Sequence, residues 1–297
     1  MTSHPLISWH DYLELTKPKV VLLLMVTAIA GMFLATNPAG MVPLKVLLFG
    51  SLGLAMAMGA SAVINHVVDQ KIDVLMSRTN NRPVATGKIK PLNAIVFASV
   101  LTVFSLLILD QMINRLTAVM TLFGVIGYAG IYTFYLKRAT PQNIVIGGLA
   151  GAIPPMLGWT AVTGTLDSEA FALVLIIFIW TPPHFWALAI HRREEYAKAE
   201  IPMLPVTHGD EFTKTNILYY TVLLLLAAWL PFIIRMSGVI YLVCASLLGM
   251  IFLLYAVRLK YFFNEKLPML TFGYSITYLF LLFIALLVDH YFLIRLF

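Results

Sequence analysis

Nine stretches of mostly apolar residues dominate this chain and constrain its fold more than any other feature. A helix needs roughly 20 such residues to cross the hydrocarbon core of a bilayer. Of the 297 residues, 60% are hydrophobic and 11% are charged, and one soluble core could not bury that much apolar surface. The sequence therefore predicts an all-α, polytopic membrane protein that packs as a single domain over residues 1–297. The predicted spans are Val20–Ala35, Leu44–Ile64, Leu92–Leu109, Leu116–Leu136, Asn143–Val162, Ala170–Ile190, Ile217–Ile234, Val239–Leu259 and Leu270–Leu287.

Lysine and arginine residues are distributed unequally between the two ends of these spans. Of the 20, 16 fall at the N-terminus and in the loops after the second, fourth, sixth and eighth spans. The positive-inside rule makes that side cytoplasmic. We therefore expect an integral protein of the cytoplasmic (inner) membrane, with its N-terminus inside and its C-terminus on the outer (periplasmic) side. The net charge of +6 then reflects membrane orientation, and no nucleic-acid partner is expected.

Proline pairs occur inside two of the predicted spans. Pro154 and Pro155 lie in the fifth span, and Pro182 and Pro183 lie in the sixth. Because proline lacks an amide donor, both helices are expected to kink or break. Such breaks persist in a membrane where protein or a cavity satisfies the freed carbonyl groups.

The first long loop, residues 65–91, carries a regularly spaced set of polar side chains. Asn65, Asp69 and Asp73 recur every four residues, so they share one stripe if the helix continues. Three oxygen ligands on one stripe suit a hard divalent cation, and Mg²⁺ commonly shares such ligands with phosphate oxygens. Arg78 and Arg82 follow at the same spacing, and guanidinium groups bind phosphate oxygens in pairs. The set predicts a magnesium–diphosphate site, and a solvated loop of Asp–Arg ion pairs is the alternative.

The loop after the fourth span adds more positive charge on the same side. Lys137 and Arg138 follow an aromatic segment that begins at Tyr132. These two cations either add to a diphosphate site or anchor the span at the membrane surface. Their spacing does not decide between the two interpretations.

The second long loop, after the sixth span, is also rich in charge. Glu194 and Glu195 either hold a second metal ion or form ion pairs with Arg192 and Arg193. His184 lies within the span itself, where a polar side chain costs free energy and tends to serve a function. Histidines at 66, 184 and 191 could each ligate a metal or a haem iron, although none has a recognised ligand spacing.

These residues resemble a known family. The pattern Asn65-x3-Asp69-x3-Asp73, followed by Arg-Thr-x-x-Arg-Pro, is similar to the first aspartate motif of the intramembrane (UbiA-type) prenyltransferase superfamily. Within it, the chain resembles the branch that makes haem O, rather than the quinone branch with its second aspartate-rich motif. One departure is Glu195, where the haem branch commonly has aspartate. The resemblance is carried by Tyr132–Arg138, Thr140–Pro155, Thr181–Ala189 and Ile201–Val206.

The resemblance implies nine helices around a central cavity whose cytoplasmic mouth is capped by the two motif loops. It implies transfer of a farnesyl group from farnesyl diphosphate to a vinyl group of haem b, with hydration, giving haem O for terminal oxidases. Mg²⁺ is the implied cofactor, held by Asn65, Asp69 and Asp73 and, at a second position, by Glu194 and Glu195. The implied catalytic residues are Asn65, Asp69, Asp73, Arg78, Arg82, Lys137 and Arg138, and the implied substrate-binding residues are His66, Tyr132, His184, Trp186 and Tyr196.

Other functions and partners stay open from the sequence. A prenyltransferase acting on an aromatic quinone precursor, a transporter gated by charge clusters, and a haem-binding assembly factor are the alternatives. Carboxylates that gather at one surface beside arginines favour the enzyme over a transporter. Farnesyl diphosphate, haem b and the lipid bilayer are the expected partners, while a homo-oligomer or contact with haem A synthase or oxidase assembly proteins is undecided.

Overall fold

Long apolar segments become helices because, in lipid, every backbone polar group must be bonded within its own segment. The computed structural model describes residues 7–76, 79–130 and 140–292, and these ranges contain helices and no β-strand. Two π-helical turns, Val46–Gly50 and Leu109–Ile113, precede α3 and follow α5. The α-helices are α1 (Trp9–Leu15), α2 (Pro18–Leu34), α3 (Ser51–Val68), α4 (Gln70–Asp73), α5 (Pro91–Ile108), α6 (Arg115–Val125), α7 (Asn143–Ala152), α8 (Pro154–Thr163), α9 (Ser168–His191), α10 (Arg193–Lys198), α11 (Leu204–Thr207), α12 (Gly209–Ala227), α13 (Leu230–Ile233), α14 (Val239–Tyr261) and α15 (Leu267–Tyr291).

The predicted spans coincide with these helices. Among the described residues, seven helical segments are long and apolar enough to cross a membrane. An eighth is added if α1 and α2, which meet at a bend of 51°, count as one span. The helix Arg115–Gly130 is shorter, and its predicted continuation to Leu136 lies outside the described residues. The all-α membrane fold is confirmed, with nine as an approximate number of spans.

The two proline pairs have different effects. Helix α7 ends at Ala152 and α8 begins at Pro154, so the fifth span is interrupted as predicted. Helix α9 runs from Ser168 to His191 without a break at Pro182 or Pro183, so of the two predicted effects, a kink or an interruption, the interruption does not occur. Because α9 packs against α7, α12 and α15, tertiary packing holds the helix together where local propensity would end it.

The first and fifth spans approach each other closely. Gly31 faces the backbone carbonyl of Pro155, and Gly158 faces the carbonyl of Ala28. A Cβ atom at either glycine would overlap with that backbone, and small residues commonly permit such helix contacts in membranes. This contact positions α8 against α2 on one side of the bundle.

Burial differs strongly between the helices. In the apolar window of α9, 72% of residues are buried, against 22% in the segment Pro91–Ile113. The outer helices present large apolar side chains such as Leu92, Phe104 and Leu247 at their surface, as expected for a lipid-facing bundle. Helix α9 is therefore the central helix, and its side chains can reach an interior site.

Candidate active site

A cavity of about 290 Å³ lies inside the bundle. Its walls come from α2, α3, the helix Arg115–Gly130, the broken pair α7–α8, and α9. Most of the lining is apolar, so the chamber suits a hydrocarbon chain. The polar side chains that line it are Lys17, Ser61, Thr121, Tyr128, Thr181 and His184.

Asn65, Asp69 and Asp73, which we call the Asn65 stripe, lie at the end of α3. We call this end of the bundle the loop end. The Asp69 amide donates to the Asn65 carbonyl at 3.0 Å, and the Asp73 amide donates to the Asp69 carbonyl at 2.8 Å. The helical repeat therefore continues across the short break between α3 and α4, and the three residues lie one turn apart. Each is buried, with 5%, 2% and 3% of its surface exposed.

This donor set fits a hard divalent cation. Two buried carboxylates one turn apart repel each other unless a positive charge lies near them, and Mg²⁺ prefers such oxygen ligands. No group of three His, Cys, Asp or Glu side chains in the described part of the chain could hold a metal ion. A metal ion bound at Asp69 and Asp73 would therefore need the amide oxygen of Asn65 as a third protein ligand.

Two cations already contact these ligands. Arg82 Nη1 donates to both carboxylate oxygens of Asp73, at 2.8 and 2.7 Å. Lys17 Nζ donates to Asn65 Oδ1 at 2.5 Å. The three buried stripe residues and the partly buried Lys17 and Arg82 thus form one polar cluster at the loop end.

Lys17 was missed by the sequence reasoning, which treated it as one of the topology-determining charges. Its backbone is left-handed, with φ at 51°, a conformation that costs free energy for any residue with a Cβ. This turn lies between α1 and α2 and lets the Lys17 side chain reach α3, 48 residues further along. No local pattern announces such a contact, although a strained residue is a common mark of a functional site.

Four predicted site residues lie outside the described ranges. They are Arg78, Tyr132, Lys137 and Arg138. Their roles stay predictions.

His184 lines the cavity from α9. Its Nδ1 lies 2.6 Å from Ser275 Oγ on α15. The imidazole ring stacks between Trp180 and Phe272, with centroid distances of 4.2 and 4.5 Å. Ser275 was also missed by the sequence reasoning, because it comes from a span 91 residues away.

Three predicted substrate-binding residues do not line the cavity. Trp186 and Tyr196 belong to a hydrophobic cluster of the core, and His66 is only 2% exposed, with no hydrogen bond from either ring nitrogen to the described residues. Trp186 is two residues from His184, about 200° around the helix, and His66 is about 100° around from Asn65. Trp186 and His66 are thus close in sequence to a site residue, but the helical repeat turns their side chains towards a different face.

The predicted second metal position consists of surface residues. Glu194 is exposed, and Glu195 pairs with Arg192 at 3.7 Å. Arg193 pairs with Asp210 at 3.4 Å. The alternative interpretation, in which Glu194 and Glu195 pair with Arg192 and Arg193, matches the structure for Glu195 and Arg192, whereas Arg193 pairs with Asp210 instead.

Comparison with known proteins assigns the chain to a family. Residues 24–287 match the family model described as the UbiA prenyltransferase family. The chain belongs to this family. It is thus a prenyltransferase, and its long apolar helices make it an integral membrane protein.

Two relatives of this prenyltransferase are similar over nearly their whole length. A protein of Alcanivorax borkumensis named protoheme IX farnesyltransferase is 65% identical over 95% of this chain and 93% of its own. A protein of the same name from Marinobacter nauticus is 61% identical over 96% of this chain and 94% of its own.

Solved structures share the fold of this prenyltransferase at low sequence identity. A digeranylgeranylglyceryl phosphate synthase has a TM-score of 0.81 and 19% identity, covering 96% of this chain and 99% of its own. A UbiA homologue from Archaeoglobus fulgidus, bound to DMAPP and Mg²⁺, has a TM-score of 0.65 and 17% identity, covering 92% and 99%. These likenesses confirm the UbiA-type fold.

Proposed function

We propose that this prenyltransferase transfers the farnesyl group of farnesyl diphosphate to a vinyl group of haem b, with addition of water, to give haem O. The observation that carries the choice of substrates is the 65% identity, over 95% of the chain, with a protein named protoheme IX farnesyltransferase. A largely apolar cavity, lined by Lys17 of the polar cluster, supports the same proposal. Such a chamber separates a hydrocarbon tail from a charged head group.

The polar cluster holds the diphosphate. Asn65, Asp69 and Asp73 hold Mg²⁺, a proposal supported by their spacing and burial and by the A. fulgidus homologue bound to DMAPP and Mg²⁺. When bound, the cation neutralises negative charge on the diphosphate leaving group. Lys17 and Arg82, which are held beside these ligands, add charge-assisted hydrogen bonds to phosphate oxygens.

The apolar chamber controls what happens at the farnesyl chain. The bond between C1 and the diphosphate oxygen breaks, and both electrons leave with the diphosphate, whose charge Lys17 and Arg82 stabilise. The terminal vinyl carbon of haem attacks C1, which moves the positive charge to the carbon next to the porphyrin ring. One water then adds to that carbon and loses a proton. The apolar walls exclude further water from the allylic centre.

We further propose that the loop end faces the cytoplasm and that the protein lies in the inner membrane. The support is the concentration of 16 of the 20 lysine and arginine residues on that side of the spans, which follows the positive-inside rule. The N-terminus is then cytoplasmic and the C-terminus periplasmic. Labelling of single introduced cysteines in intact cells tests this orientation, after replacing Cys244.

Mass spectrometry tests the proposed reaction. Purified protein receives haem b, farnesyl diphosphate and Mg²⁺, and we expect a pigment heavier by one farnesyl group and one hydroxyl group. Omission of Mg²⁺ with added chelator is expected to abolish the product and the release of diphosphate. If an aromatic quinone precursor were prenylated while haem b stayed unchanged, haem b would be the wrong acceptor.

A further inference from the structure

We propose that His184 binds the iron of the haem acceptor through Nε2, and that Ser275 is the positioning residue that fixes the required tautomer. The inference rests on the proposed function, because it names the place where the acceptor sits.

The hydrogen bonds around Ser275 assign the imidazole proton. Ser275 Oγ lies 2.6 Å from the carbonyl oxygen of Phe272 and 2.6 Å from His184 Nδ1. A carbonyl can only accept, so the single hydroxyl proton of Ser275 goes to Phe272. The Ser275 oxygen then accepts from His184, which places the proton of the neutral ring on Nδ1. The lone pair is therefore on Nε2.

The Nε2 atom has no other task in the described structure. His184 makes its one hydrogen bond through Nδ1, and Nε2 is not among the enclosed side-chain atoms that lack a partner. Since His184 lines the cavity, Nε2 is open to it. A ring nitrogen with a free lone pair, on a histidine whose other nitrogen donates a hydrogen bond, is the usual arrangement of a metal-ligating imidazole.

The ring is held rigidly in this orientation. Trp180 and Phe272 stack on its two faces with interplanar angles of 19° and 26°. The Trp180 indole is itself fixed, because its nitrogen donates to the Ser275 carbonyl at 2.8 Å. Three side chains from α9 and α15 thus determine where Nε2 points, and a fixed ligand loses little conformational entropy when it binds a metal.

Two glycines leave open space along the cavity wall. Gly124 and Gly151 line it, and a Cβ atom added at either would meet nothing within 4 Å. Of the two proposed substrates, haem b is the one that carries a transition metal, and imidazole is a common ligand of haem iron. The proposed diphosphate site adjoins the cavity at Lys17, which lines it, whereas His184 lines it from α9.

Spectroscopy of the full-length enzyme tests the proposal without relying on turnover. Ferrous haem b is added to purified protein, and resonance Raman spectra are recorded for unlabelled enzyme and for enzyme with ¹⁵N-labelled histidine. We expect an iron–histidine stretching band that shifts with the label. In His184→Ala the band is expected to disappear, haem binding to weaken about tenfold or more, and added imidazole to restore the ligand. His191→Ala, which removes an exposed histidine, serves as the matched control and should keep the band.

Ser275→Ala separates positioning from packing. In this variant the Nδ1–H group of His184 has no acceptor, so the ring is less basic. The iron–histidine band is therefore expected to move to lower frequency, while His184 remains bound to the iron. Ser275→Thr keeps a hydroxyl and should return the band towards its original position. An unchanged frequency in Ser275→Ala would contradict the positioning role.

The outcomes distinguish this inference from the proposed function. If wild-type enzyme farnesylates haem b but shows no label-sensitive band, the iron assignment is wrong and the function stands. This measurement needs no variant, so poor folding of His184→Ala cannot obscure it. If the band is present and depends on His184 but no prenylated pigment forms, the iron site is supported and the proposed function is wrong.

Discussion

Arg82 occupies both carboxylate oxygens of Asp73 through a single nitrogen, at 2.8 and 2.7 Å. The pair is largely shielded, with side-chain exposures of 19% and 5%. A cation that binds Asp73 must therefore compete with Arg82 unless the guanidinium has another anion to contact. In the proposed function the diphosphate would provide that anion, so metal and diphosphate should bind with positive coupling.

Replacement of Arg82 should uncouple the binding of metal from the binding of diphosphate. In wild-type protein, Mn²⁺ used as a paramagnetic probe is expected to bind weakly alone and about tenfold or more tightly with inorganic diphosphate. In Arg82→Gln, binding of Mn²⁺ alone should tighten, because Asp73 is released, and the effect of diphosphate should shrink. Electron paramagnetic resonance titration measures both. Lys88→Gln is the control, because Lys88 is a cation of the same loop but pairs with Asp11. Equal wild-type affinities with and without diphosphate would contradict the coupling.

Loss of either buried carboxylate should remove activity but not the fold. Asp69→Asn and Asp73→Asn are each expected to lower kcat by roughly 10²–10³-fold, the cost typical of losing a group that stabilises transition-state charge. Size-exclusion profiles should stay close to wild type for both, while the Tm of Asp73→Asn should be lower than that of Asp69→Asn, because Arg82 loses its shielded carboxylate partner. Asp110→Asn, at an exposed position, is the matched control for the same chemical change. Turnover near wild type in either site variant, with Mg²⁺ present, would rule out the metal assignment.

Lys17 should contribute mainly to binding of the diphosphate substrate. A charge-assisted hydrogen bond contributes about 1.5–3 kcal/mol, so Lys17→Met should raise the KM for farnesyl diphosphate by roughly 10-fold or more. The KM for haem b should change little. Lys19→Met removes an exposed lysine two residues away and should leave both constants unchanged. Steady-state kinetics with each substrate varied in turn decides the matter.

The contact between α2 and α8 should depend on glycine. Gly158→Ala places a methyl group against the carbonyl of Ala28, and because backbone cannot yield easily, the cost should be at least ~1–3 kcal/mol. A lower Tm in detergent is the expected result. Gly127→Ala adds the same methyl group where nothing lies within 4 Å, and its Tm should match or exceed wild type. Equal Tm values for Gly158→Ala and wild type would contradict the close packing.

The ion pair between Asp11 of α1 and Lys88 of the first long loop should depend on pH. The Lys88 ammonium donates to Asp11 Oδ1 at 2.7 Å. This hydrogen bond holds the pKa of the Asp11 carboxyl below its ordinary value of 3.8. Asp11 lies outside the predicted spans. A lowered pKa means that this stabilisation is complete above 3.8 and is lost as pH falls through the folded-state pKa. The stability difference between wild type and Asp11→Asn, followed by Tm, should therefore persist at pH 6 and shrink below pH ~4. A difference that stays constant across this range would argue against the ion pair.

Much of this molecule follows from local sequence patterns. Segment length and apolar content place the spans, because the bilayer thickness is a fixed external constraint. The four-residue spacing of Asn65, Asp69 and Asp73 likewise predicts their alignment, since a helix needs no distant partner to set its own repeat.

The remainder depends on contacts between distant segments. Lys17 reaches Asn65 because of one strained backbone turn, and Ser275 reaches His184 because α15 packs against α9. Neither contact leaves a periodic trace in the sequence. The continuity of α9 through Pro182 and Pro183 has the same origin, since its neighbours hold the helix in place.

The chamber has mostly apolar walls, and this character decides how a product with an isoprenoid tail departs. Such a molecule gains nothing by entering water, so it escapes sideways between helices into the surrounding lipid. Its delivery to the next protein is then a two-dimensional search within the membrane plane. The rate of that delivery depends on the lateral density of the acceptor rather than on any aqueous concentration.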